Sequence, residues 1–396
     1  QAQELMEVNG WEITMERSWA PVRPGLSLLL TMTAGLNLLP FAALLAFSLE
    51  GGGGFFNIGS DGLTQLSNTV LLVLFVGLGV GIWGTAIGWL TACCQFPGKR
   101  WLTLAQLLPL ATPAYLQAAV ITDLGAREGI QIYGLSWCIA VLILANLPYV
   151  VLLARDNFRL SGRRQLEASR SLGLGAWMSF FRVSLPLAIP AVTAGIALAG
   201  MEVVNEYGAV ELLAVPTLST GLLERWQGQD DPPGAVALAL TALAVVAVLV
   251  AAEQWQRRKS RRWDMGGPTD PSDRWRLKGW RAFLAQGICT FPPLISVGLP
   301  LFWLVNSLDQ LRNESFGELL ELSSHSLMLA VIGAGLASAM ALILAIGKRW
   351  INPGPLRQAM FTASLGYAVP GTVLAVALLL LLSPLGIPPL ILLVFG

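Results

Sequence analysis

Glu202, Asn205, Glu206 and Tyr207 place oxygen-bearing side chains close together in an otherwise apolar stretch of this 396-residue chain. Ionisable groups are expensive inside a bilayer and are functional candidates there by default. Glu202 and Glu206 stand at i and i+4, one face of a helix, and Glu211 extends the stripe. Carboxylate and phenolate oxygens are ligands that hard cations prefer. The other reading puts these residues at a membrane interface or in contacts between helices. Pro113 and Pro370, followed by the small residues Ala114 and Gly371, break a helical ladder, which is tolerated where backbone lines a cavity; prolines also simply bend membrane helices. Tyr367 is open to the same two readings. Catalytic chemistry finds no footing: the single His325 has no Ser, Asp or Cys partner identifiable by spacing. Four cysteines (Cys93, Cys94, Cys138, Cys289) are too few and too badly spaced for a zinc or haem site. No cofactor bound by this chain is expected.

The elements that carry these residues are membrane spans. Apolar letters make up 55% and charged ones 12%, against about 25% charged in soluble domains, and the mean hydropathy is +0.64. A soluble globular protein is excluded. Lys plus Arg (25) and Asp plus Glu (24) nearly cancel, so no basic surface invites nucleic acid. Runs of roughly 20 apolar residues, the length that crosses hydrocarbon, recur near 26–48, 69–92, 102–122, 135–154, 185–205, 233–252, 283–306, 326–347 and 358–382, and a tenth begins before Gly396. The acidic N-terminal stretch does not read as a signal peptide. With that terminus inside, 22 of the 25 Lys and Arg fall on inner segments, only Arg127, Arg225 and Arg312 outside; positive loops stay cytoplasmic. Tryptophans such as Trp101, Trp226 and Trp280 lie near span ends as interfacial anchors.

A constant offset of 257 superposes two stretches without a gap: Ser67 on Ser324, Leu72 on Leu329, Pro113 on Pro370, Gly129 on Gly386. Six spans separate the copies, so both enter the membrane from the same side, related by an axis along its normal. The expected organisation is a cytoplasmic segment 1–25, a first membrane domain 26–253, a basic cytoplasmic linker 254–282 and an incomplete second domain 283–396.

The inner loop at about 155–186 is unlike a passive connector. Leu166, Leu172, Leu174, Trp177, Phe180 and Phe181 form an amphipathic surface at helical spacing, interrupted by Gly173 and Gly175, which predicts two short helices joined at a glycine. Such a knob suits docking of a cytosolic partner, or an interfacial helix on headgroups.

The spacing decides between these. Glu167, Ala168 and Ser169, then three residues, Gly173, nine residues, Val183, one residue, Leu185 and Pro186 resemble the EAA signature, EAA-x3-G-x9-I-x-LP, of permease subunits of binding-protein-dependent ABC importers. Ser169 replaces the second Ala and Val183 the Ile. ANLPYVVLLAR, EYGAVELLAVPTLSTGL and GYAVPGTVLAVALL are similar to the two-domain permeases of the iron(III) importer group. The resemblance implies an all-α polytopic helical bundle of the type I importer permease fold, two parallel six-helix repeats with the second truncated, because a second signature would start near position 424. It implies a multi-pass protein of the bacterial inner membrane, working with two copies of a cytosolic ABC ATPase and a periplasmic substrate-binding protein. ATP and Mg are used by that ATPase, since both Gly-Lys pairs here are followed by Arg and no phosphate-binding G-x4-G-K-[ST] exists. Glu167 is expected to contact the ATPase cleft, Gly173 to turn between the coupling helices, and Pro186 to start the next span. Ferric iron suits the carboxylate and phenolate set; thiamine, phosphonate or polyamine importers share the layout. An ion-coupled secondary transporter is the rival from another class, and it does not predict the signature.

Overall fold

The computed structural model describes residues 24–50, 57–160, 169, 171, 173–260, 275–308, 316–350 and 369–382. Nearly all of them are helical. The chain divides into two units, Gln1–Leu39 with Val331–Gly366, and Pro40–Ala330 with Tyr367–Gly396. The first unit contributes helix to α1 (Pro24–Glu50) and to α13 (Phe316–Trp350). The helix bundle built on residues 59–306 lies in the second.

Among the described residues six helices are long and apolar enough to cross a membrane, or up to eight if each of two bent pairs is one span. The bundle is built on α2 (Gly59–Cys93), α5 (Leu135–Leu160), α7 (Leu185–Asn205) and α10 (Pro232–Ser260). Lipid tails are as apolar as leucine, so these helices associate by close packing rather than by hydrophobic transfer. Small residues permit it: a Cβ on Gly84 would lie 2.8 Å from the Val150 Cβ, and one on Gly195 2.8 Å from the Val150 Cα. Leu72, Val76, Val80 and Ile87 of α2 then pack with Leu142, Leu147 and Val150 of α5 in one cluster. A second gathers Val236 and Leu238 of α10 with Met201, Leu218 and Leu222.

The third apolar run is not one straight span. It comprises α3 (Lys99–Ala105), a 3-10 turn Leu108–Ala111 and α4 (Ala114–Arg127), with an 88° bend between the pieces. Thr112 is extended, and Pro113 opens α4, its carbonyl accepting from the Leu116 and Gln117 N–H groups. A proline has no N–H to continue the ladder. The pair still traverses the bundle, because a continuous neighbour tracks both of its ends. That neighbour is α11 (Trp280–Pro293), a π-turn at Leu294–Gly298 and α12 (Leu299–Asn306). Near its start, Gln286 Nε2 donates to Pro97 O (3.2 Å) and Gln106 Nε2 to Cys289 O (2.6 Å). Near its end, Trp303 Nε1 donates to Asp123 Oδ2 (2.6 Å) and Arg127 Nη2 to Ser307 Oγ (3.1 Å).

Other expectations shift at their edges. The second run starts at Gly59, ten residues earlier than the apolar run near 69, because Ser60, Thr64 and Ser67 turn their hydroxyls onto helix carbonyls or the adjacent Asp61. Within the expected linker, α10 continues to Ser260, and Trp275–Arg276 forms a parallel bridge with Cys94–Gln95. Lys99 is buried and donates through Nζ to the Cys94 carbonyl at the end of α2. Of the ninth run, α14 (Gly371–Leu382) lies directly after Pro370, whose carbonyl accepts the Leu374 N–H at 3.0 Å. Tyr367 lies outside the described residues.

Candidate functional site: a knob at the basic end and a polar cluster opposite

One end of the bundle collects Lys99, Arg100, Arg155, Arg159, Arg182, Arg276, Lys278 and Arg281, brought together by the bridge of Cys94 with Trp275. The candidate coupling loop rises from this end. Glu167 and Ala168 lie outside the described residues; Ser169, Gly173, Val183, Leu185 and Pro186 lie within them. Gly173 has φ +74° and the Leu174 N–H reaches back to Ser169 O at 2.9 Å, the six-to-one bond that closes a helix on a left-handed residue. Gly173 thus sits at a turn of the chain. Gly175 begins the next piece by accepting the Ser179 N–H, and α6 (Ala176–Ser179) follows.

The helix does not begin at Pro186. It runs from Trp177 to Asn205, passing through a π-turn at Phe180–Ser184 in which the Leu185 N–H bonds Phe180 O. Pro186 explains the turn, since its ring would clash with the carbonyl four residues back and it offers no N–H; widening the ladder just before it relieves both problems. The π-turn at Leu294–Gly298 stands in the same relation to Leu299 and Pro300.

Side chains fasten the knob to the bundle. Ser179 Oγ donates to Ser169 Oγ at 2.9 Å, and both serines are buried. The signature's alanine could not make that bond. Phe180 packs on Trp89 of α2 (5.1 Å between centroids) and Phe158 of α5 (6.3 Å), and Trp177 stacks on Trp89 at 6.4 Å and on Phe181 at 6.4 Å. Trp89, Phe158 and Ser179 were not legible as part of the site; an aromatic letter near a span end reads equally as an interfacial anchor.

At the opposite end the four oxygen-bearing residues come together differently from the helical-face reading. α7 stops at Asn205, and Glu206 is extended (φ −68°, ψ 125°), so the i, i+4 relation fails. Glu202 Oε1 accepts from Tyr149 Oη at 3.2 Å, while Glu206 Oε1 accepts the Ala209 N–H at 2.8 Å and serves the first turn of α8 (Gly208–Leu212). Ser219 Oγ donates to Glu206 O at 2.7 Å. The Asn205 Oδ1 is buried with no partner among the described residues, and Tyr207 is exposed. The segment returns through α9 (Leu218–Leu223), held by a Thr217–Thr220 capping box and by the Leu218 N–H bonding Thr69 Oγ1 at 3.0 Å. Pro113 is near this cluster through α4, since a Cβ on Gly208 would lie 2.7 Å from the Tyr115 Cβ. Pro370 is near it through α14, whose Val373 and Val376 share a buried cluster with Leu218 and Leu222 of α9. Tyr149 sits within a segment already quoted for its resemblance, yet nothing in the sequence pairs it with Glu202. Among the described residues no group of three or more His, Cys, Asp or Glu is arranged to hold a metal ion.

Comparison with known proteins bears on the same loop. Residues 84–264 match the family described as binding-protein-dependent transport system inner membrane component. The sulfate transport system permease protein CysT of Synechocystis is 30% identical over 247 residues, 56% of this chain and 85% of that protein. The chain belongs to this family. Within the permease family it is also similar to the Fe(3+)-transport system permease protein FbpB 2 of Haemophilus influenzae, 27% identical over 79% of this chain. It spans 62% of that protein's length. The molybdenum transport system permease protein ModB of Escherichia coli is 29% identical over 50% of this chain and 93% of its own length. All three are named as permeases of transport systems, not as enzymes, and the membrane-spanning helical bundle is what such a family requires.

Proposed function

We propose that this chain is the membrane permease of an ATP-driven importer, with the knob between Arg155 and Pro186 seating a cytosolic ATPase. The observation that carries the reading is the knob itself: an EAA-type spacing whose turn falls at Gly173, with φ +74°, at the basic end of the bundle. The positive-inside rule then makes the basic end cytoplasmic and the N-terminus inside. ATP hydrolysis belongs to two copies of a separate ATPase subunit, and a binding protein delivers substrate to the opposite end, where Glu202, Asn205, Glu206 and Tyr207 border the pathway. Closure of the ATPases rocks the bundle between two states.

The two-copy organisation has support beyond sequence. Displaced by the same offset of 257, Gly59–Cys93 lands on 316–350, and α13 spans Phe316–Trp350, both 35 residues long. Likewise α4 begins at Ala114, directly after Pro113, and α14 at Gly371, directly after Pro370.

Ferric iron is the substrate we favour. The Fe(3+) permease aligns with 79% of the chain, whereas the sulfate and molybdenum permeases align with 56% and 50%, and carboxylates at the receiving end suit a hard cation. An oxyanion is the second reading, because the 30% match is to a sulfate permease. The test is ATP-dependent uptake into proteoliposomes by the full gene product with its ATPase and binding protein, comparing ferric iron, sulfate and molybdate. Iron uptake lost in Glu167→Ala supports both parts. Sulfate or molybdate uptake lost in the same variant keeps the mechanism and changes the substrate, and uptake that ignores both ATP and the substitution sinks the importer reading.

A further inference from the structure

Force applied to the knob has two routes into the bundle: along the backbone into α7, or through side chains into α2 and α5. The backbone route is compliant at both ends of α6. On one side Gly173 sits in a left-handed conformation; on the other the π-turn Phe180–Ser184 has no buried residue, and Pro186 withholds a ladder hydrogen bond. The side-chain route is solid. Phe180 is wedged between Trp89 and Phe158 and meets Phe181 edge-on at 4.9 Å. Trp89 is 6% exposed and Phe158 2%, whereas Trp177 and Phe181 are 67% and 57% exposed. The block thus has a buried root in two helices and an open crown. Its root is stiff, because α2 and α5 approach closely along the next turn: a Cβ on Gly88 would lie 3.1 Å from the Arg155 backbone nitrogen. Trp89 also carries a buried Nε1–H with no partner among the described residues, an unfavourable feature that a phenylalanine would avoid at the cost of ring area against Trp177 and Phe180.

We propose that Phe180 seated on Trp89 is the joint through which the knob moves α2 and α5, making both positioning residues for coupling rather than part of the ATPase seat. The inference rests on the reading of the knob given above. Coupling through this joint predicts a specific failure: the ATPase still binds and still turns over, but its strokes no longer move the bundle.

The experiment measures substrate imported per ATP hydrolysed by the full gene product with its ATPase and binding protein in proteoliposomes. The substrate is whichever of ferric iron, sulfate or molybdate the wild type imports. The variants are Phe180→Ala, Phe180→Leu, Trp89→Ala and Trp89→Phe, with co-purification of the ATPase recorded for each. We expect import per ATP to fall at least five-fold in Phe180→Ala and Trp89→Ala while the ATPase still co-purifies. Trp89→Phe should recover to within two-fold of wild type, and the double alanine variant should be no worse than either single. An unchanged ratio in the alanine variants overturns the proposal. So does loss of ATPase binding, which would make the block part of the seat. Should an alanine variant fail to fold, Phe180→Leu, which keeps apolar volume without the ring, decides: wild-type import per ATP overturns the proposal and a fall of at least three-fold supports it. Failure of the wild type to bind the ATPase at all would instead sink the reading of the knob.

Discussion

At the scale of single residues, the departure of this chain from the signature has a physical meaning. Where the pattern has alanine, Ser169 accepts a hydrogen bond from Ser179, 2.9 Å away and fully buried across the Gly173 turn. Removing the Ser169 hydroxyl costs more than the bond itself contributes, because the buried Ser179 hydroxyl loses its acceptor away from water; the penalty is about 1–3 kcal/mol. Ser169→Ala is therefore expected to destabilise the purified protein by about 1 kcal/mol, and adding Ser179→Ala to cost little more. Denaturant unfolding of the two single variants and the double would measure the coupling. Additive effects would mean that the serines do not depend on each other. The sequence displayed both serines but not their meeting, since they are ten residues apart and only the turn at Gly173 brings them together. Glu202 and Glu206 teach the converse. Their spacing promised one face, and the promise held only as long as the helix, which ends between them at Asn205.

At the scale of elements, apolar runs located the spans well, and prolines decided their shape. Period and hydropathy say that a stretch is helical and buried in lipid, but not where the ladder is interrupted; that is set by the missing N–H of individual prolines. Pro113 produces the 88° break between α3 and α4, which a count of apolar letters near 102–122 cannot anticipate. Pro186 was read as the start of a span, whereas the helix begins nine residues earlier, at Trp177, and passes Pro186 by way of a π-turn. Restoring an N–H there permits ordinary α-helical pairing, and absorbing the extra residue turns α6 by about 100° relative to α7. Pro186→Ala is thus predicted to leave thermal stability unchanged or raise it, while import per ATP falls because Phe180 leaves its seat between Trp89 and Phe158. Melting in detergent and uptake in proteoliposomes report the two halves of this prediction separately. Full uptake in a stable variant would show that the phase of the knob is not set by the π-turn.

At the scale of the whole molecule, the arrangement makes a topological claim. The knob, Lys99 and the Trp275 bridge share one end of the bundle with Arg155 and Arg159, while Asp61, Asp123, Glu206, Asp230 and Asp231 belong to the other. That division depends on the bent third segment crossing fully, which its contacts with the continuous helix beside it at Cys289 and at Trp303 require. A re-entrant loop there would invert the side on which every later loop emerges. Cysteine labelling with a membrane-impermeant maleimide can decide the matter in intact cells, and the native background is low. All four cysteines are buried thiols. Cys94, just beyond the end of α2, is pushed up to about 12, chiefly by burial, with the neighbouring Cys93 adding to it against the Lys99 ammonium, so at labelling pH it carries almost no reactive thiolate. Asp230→Cys, in the turn before α10, is expected to react from outside without permeabilisation. Arg159→Cys, at the end of α5, is expected to react only once the membrane is opened. The reverse pattern would put the knob outside, away from any cytosolic ATPase. A re-entrant third segment, which inverts every later loop, would give that same reverse pattern, whereas labelling of both positions from one side would mean that α7, the span between them, does not cross.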